Sequence, residues 1–313
     1  MPELKILITD GLDERGQSIL RASASVDDRS GLSTEELIGV IGEYDALVIR
    51  GQTRVTAPVI EAASHLKVIG RAGVGVDNID LEAAKKNNIP VVNAPTSTTV
   101  AVAELAFGLL LGVAREIPRA DAAMKQGEWL KKQFEGVELN GKTLGIIGYG
   151  RIGIEVGIRA AAFGMNVIVY DPNVSEEELS HSNAEPVSLQ DLYAWSDFIS
   201  LHLPLNVQTR DLIGPQAFSQ MKDGMRIVST ARGGIIDEKA LLEALKSGKV
   251  AAAGLDVFEK EPPGLTELVS HPRVIATPHI GAQTAEAQSR AAEDIAREVL
   301  SALRGDPLRW KVA

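Results

Sequence analysis

The chain has 313 residues, ordinary apolar content and a formal net charge of −10, long enough for two cores and acidic enough to argue against nucleic acid or an anionic membrane surface as partner. It contains no cysteine, which excludes disulfides, thiolate metal sites and cysteine nucleophiles, and no metal site is expected. No apolar leader precedes Lys5, and the longest apolar stretch, Leu105 to Ala114, is too short to span a bilayer, so a soluble, cytoplasmic protein is expected.

Strand and helix patterns alternate from end to end, which predicts α/β architecture with parallel sheets. Lys5–Thr9 reads as a strand ending at Asp10-Gly11, and Ala46–Ile49 as another, followed by Arg50-Gly51. Lys67–Gly70 and Pro90–Asn93 complete the strands of a first lobe. The pattern from Val100 to Met124 predicts one long amphipathic helix, suited to bridging two lobes or to an oligomer contact. Strands follow at Thr143–Ile147, Val167–Tyr170, Phe198–Leu201, Arg226–Ser229, Ala252–Leu255 and Val274–Ala276. A last helical pattern, Thr284 to Leu303, has no place in the second lobe and is expected to return to the first.

The turn after Thr143–Ile147 reads Gly148-Tyr-Gly150-Arg-Ile-Gly153, and the next strand delivers Asp171. This G-x-G-x-x-G, opening a helix after a strand with an acid at the following strand end, is a dinucleotide-binding arrangement. Gly148 makes the tight turn, Gly150 lets backbone N–H groups approach a pyrophosphate, and Gly153 lets the helix pack close to the sheet. The helix N-terminus adds partial positive charge. Asp171 can accept hydrogen bonds from ribose hydroxyls and would repel a 2′-phosphate, which favours NAD over NADP. The motif begins midway along the chain. It therefore predicts a Rossmann-type doubly wound parallel sheet over residues 98–282, inserted in a smaller flavodoxin-like α/β lid domain built from 1–97 and 283–313.

Ligands of open α/β sheets bind outside the C-terminal strand ends. Those ends carry His202-Leu203-Pro204, Thr230-Ala231-Arg232, Asp256 and Thr277-Pro278-His279. A hydride cofactor needs a partner that moves the hydroxyl proton, and imidazole suits that role near neutral pH, so His279 is the candidate acid/base. Glu261 can orient and charge-stabilise it, with Glu259 a rival by residue type. Arg232 can clamp a carboxylate bidentately and polarise the adjacent carbonyl. His65, His181 and His271 read as surface residues, and His202 as either site-lining or structural.

The motifs Gly145–Gly153, Ser229-Thr-Ala-Arg-Gly-Gly-Ile-Ile-Asp237, Gly254-Leu-Asp-Val-Phe-Glu-Lys-Glu-Pro262 and Thr277-Pro-His-Ile-Gly281 together resemble the D-isomer-specific 2-hydroxyacid dehydrogenases over essentially the whole chain. Val68–Asn78, Leu139–Gly145 and Glu286–Arg290 resemble the branch acting on 3-phospho-D-glycerate. The resemblance implies His279 as general acid/base, Glu261 as its partner and Arg232 as the carboxylate clamp. It implies an NAD site lined by Val74, Gly148, Gly150, Arg151, Ile152, Gly153, Asp171, Leu203, Thr230, Ala231, Arg232, Asp256, His279, Gly281 and Ala282, with Asp256 reaching the nicotinamide carboxamide. Backbone amides at Val74 and Gly75 would hold the substrate carboxylate. Arg50, Arg54 and Arg71 are the cations for a substrate phosphate, with Lys131 and Lys132 crossing from a second subunit of a homodimer.

Members of that branch often carry Asn where this chain has Ser229 and Thr98, and Thr where it has Leu203; a basic residue near Leu130 is also missing. The chain ends near Trp310, so a short form without C-terminal regulatory domains is expected. A glyoxylate or hydroxypyruvate reductase, or an NAD-sensing corepressor-like protein of the same fold, are the alternatives.

Overall fold

The computed structural model describes residues 4–174 and 184–313. His181 lies outside the described residues. The chain divides into two compact units, Met1–Thr99 with Ala282–Ala313, and Val100–Gly281.

The smaller unit is built on five parallel strands: β1 (Lys5–Ile8), β2 (Ser25–Asp28), β3 (Ala46–Ile49), β4 (Val68–Arg71) and β5 (Val91–Asn93), in the order β2-β1-β3-β4-β5. That is the flavodoxin order, with its topological switch between β1 and β3. The sequence reading missed β2. Its segment, Ser-Val-Asp-Asp, sits on the sheet edge, paired only with β1 and buried on neither face, so no apolar alternation marks it. The central strands β3 and β4 are apolar throughout their buried positions because both faces are covered.

Helix Ala285–Arg304 belongs to this unit and buries Ala291, Ala292, Ile295, Ala296 and Val299. Within it, Glu298, 3% exposed, accepts hydrogen bonds from the backbone N–H groups of Arg309 and Trp310, 3.0 and 3.2 Å. This anchors the last residues, which pair with β5 through Val91 N–H to Ala313 O and Val312 N–H to Val91 O.

The larger unit carries seven parallel strands: β6 (Thr143–Ile147), β7 (Asn166–Tyr170), β8 (Glu185–Pro186), β9 (Phe198–Leu201), β10 (Met225–Ser229), β11 (Val250–Leu255) and β12 (Val274–Ala276). Their order is β12-β11-β10-β9-β6-β7-β8. This is the Rossmann order extended by β12, and the chain reverses direction across the sheet between β6 and β9. The two-residue β8, also unforeseen, is an edge strand whose Pro186 leaves no central ladder bond unmade. Apolar clusters fill both faces, one centred on Ile199, Leu201, Ile227 and Leu255, the other on Leu144, Ile146, Phe198 and Val228.

The expected single helix from Val100 to Met124 is two helices, Thr99–Arg115 and Ile117–Lys125. Glu116 between them takes a left-handed backbone (φ 53°). Pro118 explains the break: it offers no N–H, and its ring would collide with the carbonyl of Ala114 in a continuous helix. That carbonyl instead accepts the N–H of Val137 at 2.9 Å. Among the described residues no helix is long and apolar enough to cross a membrane.

Within the smaller unit the final helix crosses Glu14–Arg21 at a point where a Cβ on Gly16 would lie 2.6 Å from the carbonyl oxygen of Ala292. Gly16→Leu is therefore expected to lower the unfolding free energy by about 1–3 kcal/mol; an unchanged urea midpoint would show that this crossing does not hold the helix.

Candidate active site

At the end of β6 the backbone turns through Gly148 (φ 91°), where a Cβ would meet His202 O at 2.6 Å, so the end of β9 lies against it. A Cβ on Gly153 would meet Gly148 O at 2.3 Å, which is how closely helix Arg151–Ala162 enters the sheet. Gly150 is the N-cap of that helix, makes no side-chain cap, and opens onto space that no described residue fills. The first N–H groups of the helix are thus left for an external acceptor, the arrangement that a pyrophosphate needs. Asp171 stands beside this turn: Oδ2 accepts the N–H of Tyr149 at 2.8 Å and Oδ1 that of Asn173 at 2.9 Å. Arg151 is exposed and Ile152 half-buried at the start of the helix. These residues fit a dinucleotide.

The neighbouring strand ends are joined by Asp256, which is 1% exposed at the end of β11. Its carboxylate accepts from Thr277 Oγ1 at 2.6 Å and from the N–H groups of Ile280 and Gly281, both at 2.8 Å. Burial pushes its pKa above the usual aspartate range, against the pull of these donors and of His279. The clamp fixes the turn containing His279, whose own backbone is left-handed (φ 53°).

His279 Nδ1 donates to Glu261 Oε2 at 2.7 Å, and Glu261 Oε1 accepts the N–H of Phe258 at 3.1 Å. Burial raises the Glu261 pKa, but the hydrogen bonds from His279 and Phe258 and the charges of His279 and Arg232 outweigh it and hold the carboxyl below its usual range. Glu259 does not join this pair, and its N–H donates to Glu238. The loop after β10 is pressed on this one, since a Cβ on Gly233 would lie 1.8 Å from Phe258 O. Arg232 stands there and donates from Nη1 to Ala231 O at 2.7 Å. With Nδ1 committed to a carboxylate, Nε2 is the nitrogen that the half-exposed imidazole keeps without a partner among the described residues.

His202, left open between two roles by the sequence, has Nε2 2.7 Å from Ser200 Oγ and Nδ1 sealed from solvent without a partner. Burial lowers its pKa to about 3, so the ring is neutral and cannot shuttle protons near neutrality. Ser229 Oγ and Thr230 Oγ1, at the end of β10, are likewise buried and unpartnered. Leu203 is half-buried against the core, and Ala231 and Gly281 are buried.

The smaller unit holds the other candidates. Asp10, which the sequence showed only as a strand terminator, accepts the N–H groups of Arg50, Gln52 and Thr53 and the hydroxyl of Thr53, so the loop bearing Arg50 is fixed. The Arg50 guanidinium donates to Gln283 Oε1 at 3.3 Å. Arg71 occupies the space a Gly73 side chain would need (φ 149°). Asn93 Nδ2 donates to Val74 O at 2.7 Å and thereby steadies the Val74–Gly75 turn. Arg54 is exposed at the surface of this unit, as are Lys131 and Lys132 at the surface of the other.

A folded-state pKa below the unfolded one, as at His202, adds stability at high pH that is lost as the pH falls. From about pH 6.5 downward only the unfolded chain takes up a proton there. His202→Gln should therefore lose less unfolding free energy than the parent between about pH 6.5 and pH 4; identical slopes in urea titrations would show that the ring is not buried in its neutral form.

Residues 107–281 match the sequence model of the D-isomer specific 2-hydroxyacid dehydrogenase NAD binding domain. The chain is 52% identical to D-3-phosphoglycerate dehydrogenase of Methanocaldococcus jannaschii over 97% of its own length and 58% of that protein's. It thus spans a little over half the length of that relative. It is 48% identical to a hydroxypyruvate reductase of Thermotoga maritima, covering 97% of this chain and 99% of that one. A glyoxylate reductase structure from Paecilomyes thermophila superposes with a TM-score of 0.90 at 36% identity, over 100% and 99% of the two chains. The glycine turn, the strand order and these matches agree, and the chain belongs to the D-isomer-specific 2-hydroxyacid dehydrogenases, a family of NAD-dependent oxidoreductases.

Proposed function

We propose that the chain oxidises 3-phospho-D-glycerate to 3-phosphohydroxypyruvate, the first step of serine biosynthesis. The observation that carries this reading is the 2.7 Å hydrogen bond from His279 to Glu261, in the unit that also carries Arg232 and the dinucleotide turn. NAD, when bound, supplies the acceptor for the C2 hydride. The residues that would hold it are Gly148 to Gly153, Asp171, Leu203, Thr230, Ala231, Asp256, Gly281 and Ala282, with Val74.

His279 takes the hydroxyl proton at Nε2 while Glu261 fixes the ring and stabilises the imidazolium that results. Arg232 anchors the carboxylate and stabilises charge developing on the carbonyl oxygen. In the smaller unit the candidates are the amides of Val74 and Gly75 for a carboxylate, and Arg50 and Arg71 for a phosphate. The 52% identity to a phosphoglycerate dehydrogenase supports this substrate. The near full-length match to a hydroxypyruvate reductase supports a second reading, reduction of an unphosphorylated 2-keto acid at the same residues.

The enzyme is read as a cytoplasmic homodimer. Ile154, Ile158 and Phe163 leave an apolar face exposed along helix Arg151–Ala162 and just beyond it, which supports association through the larger unit.

Steady-state kinetics with NAD and 3-phosphoglycerate, beside glycerate, lactate and hydroxypyruvate with NADH, should give the highest kcat/KM for the phosphorylated pair. A strong preference for unphosphorylated 2-keto acids would replace this substrate with the second reading. His279→Ala should lower kcat by about 10²–10⁴-fold with nucleotide binding retained; near-native turnover would remove His279 from the mechanism.

A further inference from the structure

We propose that the larger unit carries a second ligand site, for a small multiply charged anion, at the end of its sheet opposite to the dinucleotide turn. A recess of about 410 Å³ opens there. Its floor is the beginning of β10, β11 and β12, whose other ends carry Thr230, Asp256 and Thr277. Glu116, Arg119, Gln133, Arg226, Pro272 and Arg273 supply its polar and rim residues. The volume lies in the range of small-molecule sites.

Charge decides the class of ligand. Three arginines and one carboxylate line the recess, in a protein whose net charge is −10. Glu116 is already paired with Arg119, whose guanidinium also lies over the Phe134 ring. Arg226 is different. It is half-buried over the Phe198 ring, its Nε is sealed from solvent without an acceptor, and its Nη1 reaches only the carbonyl of Gly224 at 3.4 Å. Among the described residues no carboxylate lies within ion-pair distance of it. Glu116 acts on it only from beyond ion-pair distance and is already engaged by Arg119; a partly desolvated guanidinium so weakly countered is costly, and an anion entering the recess would complete it. The site is separate from the catalytic groups and does not rest on the substrate proposed above.

Inorganic phosphate is the probe. Calorimetric titration would use the full chain saturated with NAD and carrying Arg50→Gln and Arg71→Gln, so that a substrate-phosphate subsite does not contribute. Phosphate should bind to this background, and Arg226→Met added to it should weaken binding about tenfold or more, 1.4 kcal/mol. Arg226 packs on Phe198, so Arg119→Gln with Arg273→Gln, changed together, provide a second measure that leaves Arg226 in place. The same weakening is expected. Absence of phosphate binding in the background, or binding that survives these substitutions unchanged in correctly folded protein, would overturn the proposal.

Discussion

The buried carboxylate of Asp256 is the constraint on which the candidate site of the larger unit depends. It ties the end of β11 to the turn after β12 through one hydroxyl and two backbone N–H groups. A carboxylate tolerates burial only with donors on it, and the 277–281 turn supplies them. His279, inside that turn, is thereby held in a left-handed conformation that an unconstrained histidine rarely takes. The strain is local, and the clamp gives the reason it persists. Remove the clamp, and the histidine has nothing to keep its ring against Glu261.

The other half of the site is made by absence of side chains. Gly148, Gly153 and Gly233 each stand where a Cβ would strike a backbone oxygen, at 2.6, 2.3 and 1.8 Å. These approaches bring β6, the following helix and the loops after β9, β10 and β11 into close packing. The chemistry proposed for that surface needs few groups: helix N–H donors, one carboxylate beside them, and the Arg232, Glu261, His279 set. The smaller unit repeats the method with Asp10, whose carboxylate fixes the loop of Arg50 from the neighbouring strand.

Much of this was legible in the residues. Central strands are apolar runs because both their faces are covered, and the glycine turn declares itself by spacing. What was hidden had no apolar signature. β2 is a half-exposed edge of Ser, Val and two Asp, and β8 is only Glu185 and Pro186. The break at Glu116 was missed because the apolar pattern runs on across it, while Pro118, the residue that causes it, was outweighed by periodicity. The preference for Glu261 over Glu259 came from the family resemblance, since residue type alone left both open. Both are loop glutamates two residues apart, and only backbone geometry decides which carboxylate reaches the imidazole.

Asp10, Asp171 and Asp256 show why residue type alone leaves function open. All three follow parallel strands, and all three accept backbone N–H groups. Asp10 accepts from four donors, three amides and a hydroxyl, and Asp256 from three. A carboxylate has about four acceptor positions, so these two are largely consumed by holding loops. Among the described residues, Asp171 takes one amide on each oxygen, with a long 3.4 Å contact from Asn173 Nδ2 besides. That is the same number as Asp256 accepts, but the third contact is the longest of the set, so its loop holds it least, and it stands beside the uncapped helix N-terminus. A strand-end aspartate becomes a ligand-binding group in proportion to what its own loop leaves unclaimed, and for Asp256 that leaves at most one position for a carboxamide.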